Sequence, residues 1–447
     1  MKGILMTEGA SWKHIIRFAL PLLLGMLLQQ LYNTTDTVIV GNFVGTKALS
    51  AVGTTINISF LFLAISIGLS TGTCVLVSHA FGAKNQEEMR LHASTGILFI
   101  LLLGLAVSVL SIVISRPAFV YWLGVPREIL PLTLLYFRIF SVGLVFQFGY
   151  NIISSILRAV GDSAASLYFL LAASVLNIGL DLFFVINLKA GVAGAAAATV
   201  IAQFLCFVIA YLYMSKKYPV FRFKLSDYHW NGRSIKETCR VGIPVYLQLG
   251  IMSLGLSFIQ RAASSFGTEM TAAFTVLQRV EMYVMIPYIC FQNALATFTG
   301  QNLGAGLPQR VFKAGFQTVL MTFLITASIA LAICLNAEAI TGSFALEGEA
   351  FYYGYRCLRI TIIINILLSL YNPLFGVFQG NKKSEIATFI AIFVLGVRIG
   401  ATYFFKDSNI FGKSIIWWNP LFGFSIGFVI TWIMFLSRMW LDKDKRK

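Results

Sequence analysis

The sequence predicts an all-α integral membrane protein with twelve transmembrane helices in two pseudo-symmetric six-helix bundles, and three observations carry that expectation. Of the 447 residues, 58% are hydrophobic and only 12% are charged, against about 25% charged in an average soluble domain. The apolar residues fall in long runs bounded by charge, each close to the ~20 residues that a helix needs to cross a bilayer. Finally, the second half of the chain repeats the first.

Taken in order, spans are expected to start near residues 14, 48, 91, 128, 163 and 190, and again near 238, 271, 311, 352, 384 and 414. Span one carries Pro21 and Gly25 near its inner end, then the polar residues Gln29, Gln30 and NTTD at 33–36. Proline removes a backbone donor and permits a kink. Spans three and six are the runs 91–115 and 190–215, and span six opens on AGVAGAAAATV, small residues that let a neighbouring backbone come close. Span five reads SLYFLLAASVLNIGLDLFFVINL from Ser166, and the runs 241–260, 314–337, 360–381 and 414–437 supply spans seven, nine, ten and twelve.

The repeat is explicit. Residues 135–163 lie over 356–384 at an offset of 221, which sets Arg138 over Arg359 and Tyr150-Asn151 over Tyr371-Asn372. HAFGAKN at 79–85 lies over QNLGAGL at 301–307, offset 222, and ALPLLLG at 19–25 over GIPVYLQ at 242–248, offset 223. Each half has an even number of spans, so both enter the membrane in the same direction, as in secondary transporters built from parallel repeats. The expected division is a first lobe at 1–214, a basic cytoplasmic linker at 215–237 and a second lobe at 238–447.

The net charge of +16 reflects topology rather than nucleic-acid binding. With the N-terminus inside, 22 of the 34 Lys and Arg fall in inner loops and termini, eight in outer loops, and four (Arg138, Arg279, Arg359, Arg398) within or at the edges of spans. This positive-inside bias puts both termini in the cytoplasm of a cell whose plasma membrane holds the chain. The N-terminus shows no short apolar stretch with a small-residue cleavage site, so span one is expected to serve as its own membrane-entry signal. The six cysteines are scattered singly and the four histidines are unpaired, which indicates neither a disulfide frame nor a zinc site. There is no GxxxxGK[ST], and the widely separated histidines offer no nucleophile–base arrangement; the chain reads as neither an ATPase nor an enzyme, without a cofactor, and as a monomer driven by an ion gradient.

Asp36 is the residue this pattern does not absorb. A carboxylate in hydrocarbon costs several kcal/mol and usually faces a cavity, a partner or an ion path. At 1.5 Å per residue, Asp36 stands ~28 Å above the inner end of span one and Asp181 ~27 Å up span five; the two are level. Asn177 and Asp181 are four apart and share a face, and Thr199 offers a hydroxyl ~13 Å down span six. Together Asp36, Asn177, Asp181 and Thr199 make an all-oxygen set suited to a hard cation, sodium, or to a proton. The alternative is interhelical polar bonding for the acids and a bond from Thr199 to its own backbone. Against a purely structural role, the repeat places Phe258, Arg398 and Thr402 opposite Asp36, Asn177 and Asp181. Arg398 reads as structural.

ALPLLLGMLLQQLYNTTDTVIVG, the loops SHAFGAKN and TGQNLGAG, and NIGLDLFF in span five together resemble the multidrug and toxic compound extrusion (MATE) family, within the larger multidrug/oligosaccharidyl-lipid/polysaccharide flippase group. The resemblance covers nearly the whole chain. It implies a cation-coupled antiporter that exports organic, mostly cationic, drugs and toxic compounds, with Asp36, Asn177, Asp181 and Thr199 matching the first-lobe cation site. Span seven departs from those members that carry an acid there: it reads PVYLQLGIMSLGLSF, which leaves a second-lobe sodium site without its carboxylate. A cavity between the lobes is expected, with Gln29, Gln30, Asn33, Asn57, Gln147, Gln248, Met252, Met282 and Gln292 as lining candidates, since amides with soft apolar surface suit planar cations. Glu281 either attracts such a cation or pairs with a basic residue. The four intramembrane arginines keep open a flippase for a lipid-linked saccharide, and an uncoupled channel or scaffold is the third reading.

Overall fold

A computed structural model describes residues 3–344 and 346–441, with the side chains of residues 33 and 38 outside the description. Every regular element among the described residues is helical. Six long helices come from the first half: α1 (Ser11–Phe43), α2 (Thr46–Gly82), α3 (Gln86–Pro117), α4 (Leu130–Ala159), α5 (Ser163–Asp181) and α6 (Gly191–Lys217). Six more follow: α7 (Gly232–Ser264), α8 (Thr268–Gly304), α9 (Pro308–Leu335), α10 (Gly348–Ser369), α11 (Ser384–Phe405) and α12 (Ile415–Leu436). Short π-helical turns extend α3 over Ala118–Trp122 and α5 over Leu182–Asn187, and a break at Tyr371 separates α10 from a further turn, Phe375–Gly380.

Among the described residues, eleven of the twelve helices are long and apolar enough to cross a membrane. The exception is α8, which equals α2 in length at 37 residues but is interrupted mid-helix by Arg279 and Glu281. The helices are built for lipid. On α9, Thr318, Thr322 and Thr326 form a fully buried stripe, while Leu320, Leu324 and Leu331 are more than half exposed. The inward hydroxyls of Thr318 and Thr322 donate to the carbonyls of Ala314 and Thr318 at 2.7 and 2.8 Å, and small inward residues let neighbours approach while large apolar ones face hydrocarbon. α3 follows the same plan, with Ser108, Ser111 and Ser115 buried and Leu102, Leu105, Val109 and Val113 exposed.

The duplication is written in the backbone. α1 and α7 each span 33 residues and start 221 apart; α2 and α8 start 222 apart. The glycines before α2 and α8 have nearly the same dihedrals, φ 105° and ψ 174° at Gly45, φ 110° and ψ 176° at Gly267. Only glycine adopts that backbone at little cost. The turns after α2 and α8 likewise place Lys84 and Gly306 at positive φ, 57° and 74°.

Contacts divide the chain into one unit of Met1–Leu5 with Leu20–Tyr246 and another of Met6–Ala19 with Leu247–Lys447. The segment 215–237 therefore belongs to the first unit. In the first unit α4 packs on α2, α3 and α6, and α5 on α6. There Gly68 and Gly72 of α2 meet backbone of the first turns of α7: a Cβ on Gly68 would stand 2.6 Å from the Gly242 carbonyl oxygen, and one on Gly72 3.2 Å from the Gly242 nitrogen. Between α6 and α7, Arg90 clasps the loop, donating to the carbonyls of Val220 (2.9 Å) and Arg222 (3.3 Å) and to the Asp227 carboxylate at 2.6 Å. In the second unit α10 packs on α8, α9 and α12, and α11 on α12. Its N-terminal segment is held by Gln301, which accepts from the Met6 amide at 2.9 Å, and by Arg310, which donates to the Gly9 carbonyl at 3.0 Å.

Candidate functional site

α1 and α5 run close in the first unit because α1 is narrow there: a Cβ on Gly25 would lie 3.6 Å from Leu170 and 3.9 Å from Leu167. Farther along, Asp36 of α1 and Asp181, the last residue of α5 before its π-helical turn, bring their carboxyl groups near enough to interact electrostatically. Asp181 is fully buried. Asn177, one turn earlier and also buried, donates its Nδ2 to the Thr199 hydroxyl of α6 at 3.5 Å, and that hydroxyl donates to the Ala195 carbonyl at 3.1 Å. The small-residue start of α6 allows this approach, since a Cβ on Gly194 would already sit 3.1 Å from the Phe184 Cβ. Thr199 thus bonds both its own helix and Asn177.

Tyr32, one turn before Asp36, and Tyr136 of α4 lie near enough to interact electrostatically with both carboxylates. Sequence reasoning passed over both tyrosines. For Tyr32 a signal existed, the four-residue spacing to Asp36; for Tyr136, an aromatic in an apolar span, none did.

The chemistry of the set follows from its unpaired oxygens. Oδ1 of Asp36, both carboxylate oxygens of Asp181 and Oδ1 of Asn177 are buried with no donor from the protein. An acceptor so placed costs about 1–3 kcal/mol, more when charged, and two carboxylates in a medium poor in water repel one another. A single positive charge placed between them answers both. Two carboxylates, an amide and a hydroxyl make an all-oxygen set, the donor type that hard cations take; among the described residues no group of three or more His, Cys, Asp or Glu that could hold a metal ion gathers anywhere. The arrangement suits a monovalent cation or a proton.

The remaining candidates are distributed between the units. Gln30 and Gln147 are half-buried and Gln29 and Asn57 exposed in the first; Gln248 and Met252 are half-buried and Met282 exposed in the second. The side chain of Asn33 lies outside the described residues. Gln292 donates to Gln379 at 3.1 Å. Glu281 turns away from its exposed neighbours Arg279 and Met282, is buried, and accepts from Asn365 Nδ2 at 2.9 Å. At the repeat positions of the first-unit acids, Phe258 is exposed and Thr402 is buried with its hydroxyl donating to the Arg398 carbonyl at 2.7 Å.

Comparison with known proteins agrees with this architecture. The chain is 25% identical over 405 residues to the probable multidrug resistance protein YoeA of Bacillus subtilis (strain 168), covering 89% of this chain and 87% of that one. It is 29% identical over 312 residues to the probable multidrug resistance protein YpnP of the same organism, covering 70% and 69%. A MATE crystal structure in the bent conformation superposes with a TM-score of 0.92 at 25% identity over 98% of both chains. The MatE family profile matches residues 21–183 and 244–404, once in each half, and the matched segments contain Asp36, Asn177 and Asp181. On that double match and the twelve-helix architecture, the chain belongs to the MatE family and is a MATE transporter of the membrane, not an enzyme.

Proposed function

We propose that this protein exports organic, mostly cationic, drugs and toxic compounds by alternating access, in antiport with protons or sodium taken up at Asp36, Asn177, Asp181 and Thr199, from a cytoplasmic membrane with both termini inside. The observation that carries the reading is the pair of carboxylates on α1 and α5, of which Oδ1 of Asp36 and both oxygens of Asp181 are buried without a hydrogen-bond partner. A shared sodium or proton removes their repulsion, and its release restores it. That change acts on the two spans least held by the rest of the protein: those of α1 and α5 bury 22% of their apolar windows, against 61% for α2. Each ligand then favours a different state of the same helices, which is what coupling requires. The names of the Bacillus subtilis relatives, both probable multidrug resistance proteins, support a drug as the exported partner.

The test is accumulation of a fluorescent organic cation in vesicles, with and without an imposed pH or sodium gradient, for the wild type, Asp36→Asn and Asp181→Asn. Gradient-driven transport in the wild type alone is expected. Equal transport in all three well-expressed proteins would remove the coupling site from the first unit; transport of a lipid-linked saccharide in place of the cation would favour the flippase reading.

A further inference from the structure

The second unit contains two buried side chains of opposite charge that the proposed coupling site does not use. Glu281 of α8 is 8% exposed and Arg398 of α11 is 5% exposed, and the two interact electrostatically. Each is oriented by a fully buried amide. Asn365 of α10 donates its Nδ2 to Glu281 Oε1 at 2.9 Å, and Arg398 Nε donates to Asn419 Oδ1 of α12 at 3.0 Å. The Arg398 stem lies against Gly423, where a Cβ would meet its Cδ at 3.2 Å, and the guanidinium sits 5.1 Å from the Phe424 ring centroid. Beside the pair, Asn365 Oδ1 and the Tyr288 hydroxyl are buried without a hydrogen-bond partner.

In sequence register, Arg398 stands where the first half has Asn177. Among the described residues, the first unit thus places two carboxylates together with no basic side chain acting on them, and the second places one carboxylate within electrostatic reach of a guanidinium fixed to the chain. A guanidinium keeps its charge under all ordinary conditions, and an uncompensated buried carboxylate is strongly unfavourable. We propose that Arg398 is a tethered counter-ion to Glu281, holding permanently in the second unit the place that an exchangeable cation takes in the first, so that the second unit binds no coupling cation and each transport cycle uses the first-unit site alone. This rests on the proposed role of Asp36 and Asp181. Removing the tethered charge exposes a monovalent-cation site made of the Glu281 carboxylate, Asn365 Oδ1 and the Tyr288 hydroxyl. The other ionisable groups facing the pair are Tyr371, beside Arg398, and Cys357, beside Glu281; neither supplies a positive charge.

The experiment measures bound radiolabelled sodium and, in parallel, proton uptake by purified full-length protein in detergent. Asp36→Asn/Asp181→Asn protein is expected to bind no cation. Adding Arg398→Gln should restore one bound sodium or proton per chain, and adding Glu281→Gln should abolish it again. A cation that Asp36→Asn/Asp181→Asn still binds, and that Glu281→Gln removes while Arg398 is intact, would overturn the proposal, as would a folded Arg398→Gln protein that gains no cation. If Arg398→Gln fails to fold, the Glu281→Gln/Arg398→Gln protein decides: recovery of the wild-type melting temperature supports charge compensation, and continued failure shows that Arg398 is there for packing and overturns it. Retained gradient-driven export in Asp36→Asn/Asp181→Asn would defeat the first-unit reading instead; the cation gained on Arg398→Gln is a difference between two proteins and is read independently of it.

Discussion

Three carboxyl oxygens of Asp36 and Asp181 are buried without a hydrogen-bond partner, and the proposed coupling makes this pair the place where drug and ion compete. Lowering outside pH, or adding outside sodium, is expected to speed release of bound drug from the wild type, by about 5- to 150-fold if the sites are coupled by 1–3 kcal/mol. Neither Asp36→Asn nor Asp181→Asn should respond, because an amide keeps the volume and cannot take up or release charge. Drug off-rates measured by stopped-flow check this, and an equal response in all three proteins would place coupling elsewhere. These two acids were legible in the sequence because a charge inside an apolar run has to be accounted for, and Asn177 because it lies one turn from Asp181. Tyr136 was not, since nothing in an apolar span separates an aromatic that packs from one that faces a charge. Glu281 was half legible. Its cost in the membrane was plain, but only the structure shows that Asn365 donates to it and that Arg398 lies within electrostatic reach.

Among the elements, the loop between α6 and α7 read as a hydrophilic linker, whereas its fixed path depends on Arg90, a residue 130 positions before Val220, which no local pattern announces. The Asp227 carboxyl at its centre is held below its ordinary value of 3.8 by the Lys224 backbone amide and then by Arg90. A group with a depressed folded value stabilises its surroundings above its unfolded value and loses that contribution as pH falls through the folded one. The clasp should therefore stay closed at all pH values above the ordinary carboxylate range and open only below 3.8. Limited proteolysis across a pH series, with an acid-active protease, should show the loop becoming susceptible only at the acid end; susceptibility that rises already near neutrality would show the clasp to be held by something else. The contact of α2 with the start of α7 allows a second prediction. Gly72→Val drives a side chain into the Thr238 and Gly242 backbone and should destabilise by about 1–3 kcal/mol, the usual cost of overpacking. Gly53→Ala, on the same helix with nothing within 4 Å, should leave the melting temperature in detergent unchanged or slightly raised. Equal effects would mean that the close approach carries no stability.

Over the whole molecule, what the sequence foretold best was its periodicity, because the lipid phase enforces helix length and the duplication enforces helix order. It foretold the partition less well. Residues 6–19 open the chain yet belong with the second unit, through hydrogen bonds to Gln301 and Arg310, and contacts nearly three hundred positions apart leave no trace in local composition. The polar interruption of α8 has a consequence for how the protein is made. Charged residues at the centre of a span oppose lateral release from the translocon by about 2.5–3.5 kcal/mol each, and α8 has both Arg279 and Glu281, whereas Arg398, the arginine within electrostatic reach of Glu281, belongs to α11 and is synthesised more than a hundred residues later. Placed alone in a host protein and scored by glycosylation mapping, α8 should integrate poorly where α2 integrates fully; equal integration would show that the carboxylate needs no partner to enter lipid. In the cell, α8 should wait beside the translocon, half committed, until α11 emerges, so that the assembly of the second half is gated by the arrival of a single side chain.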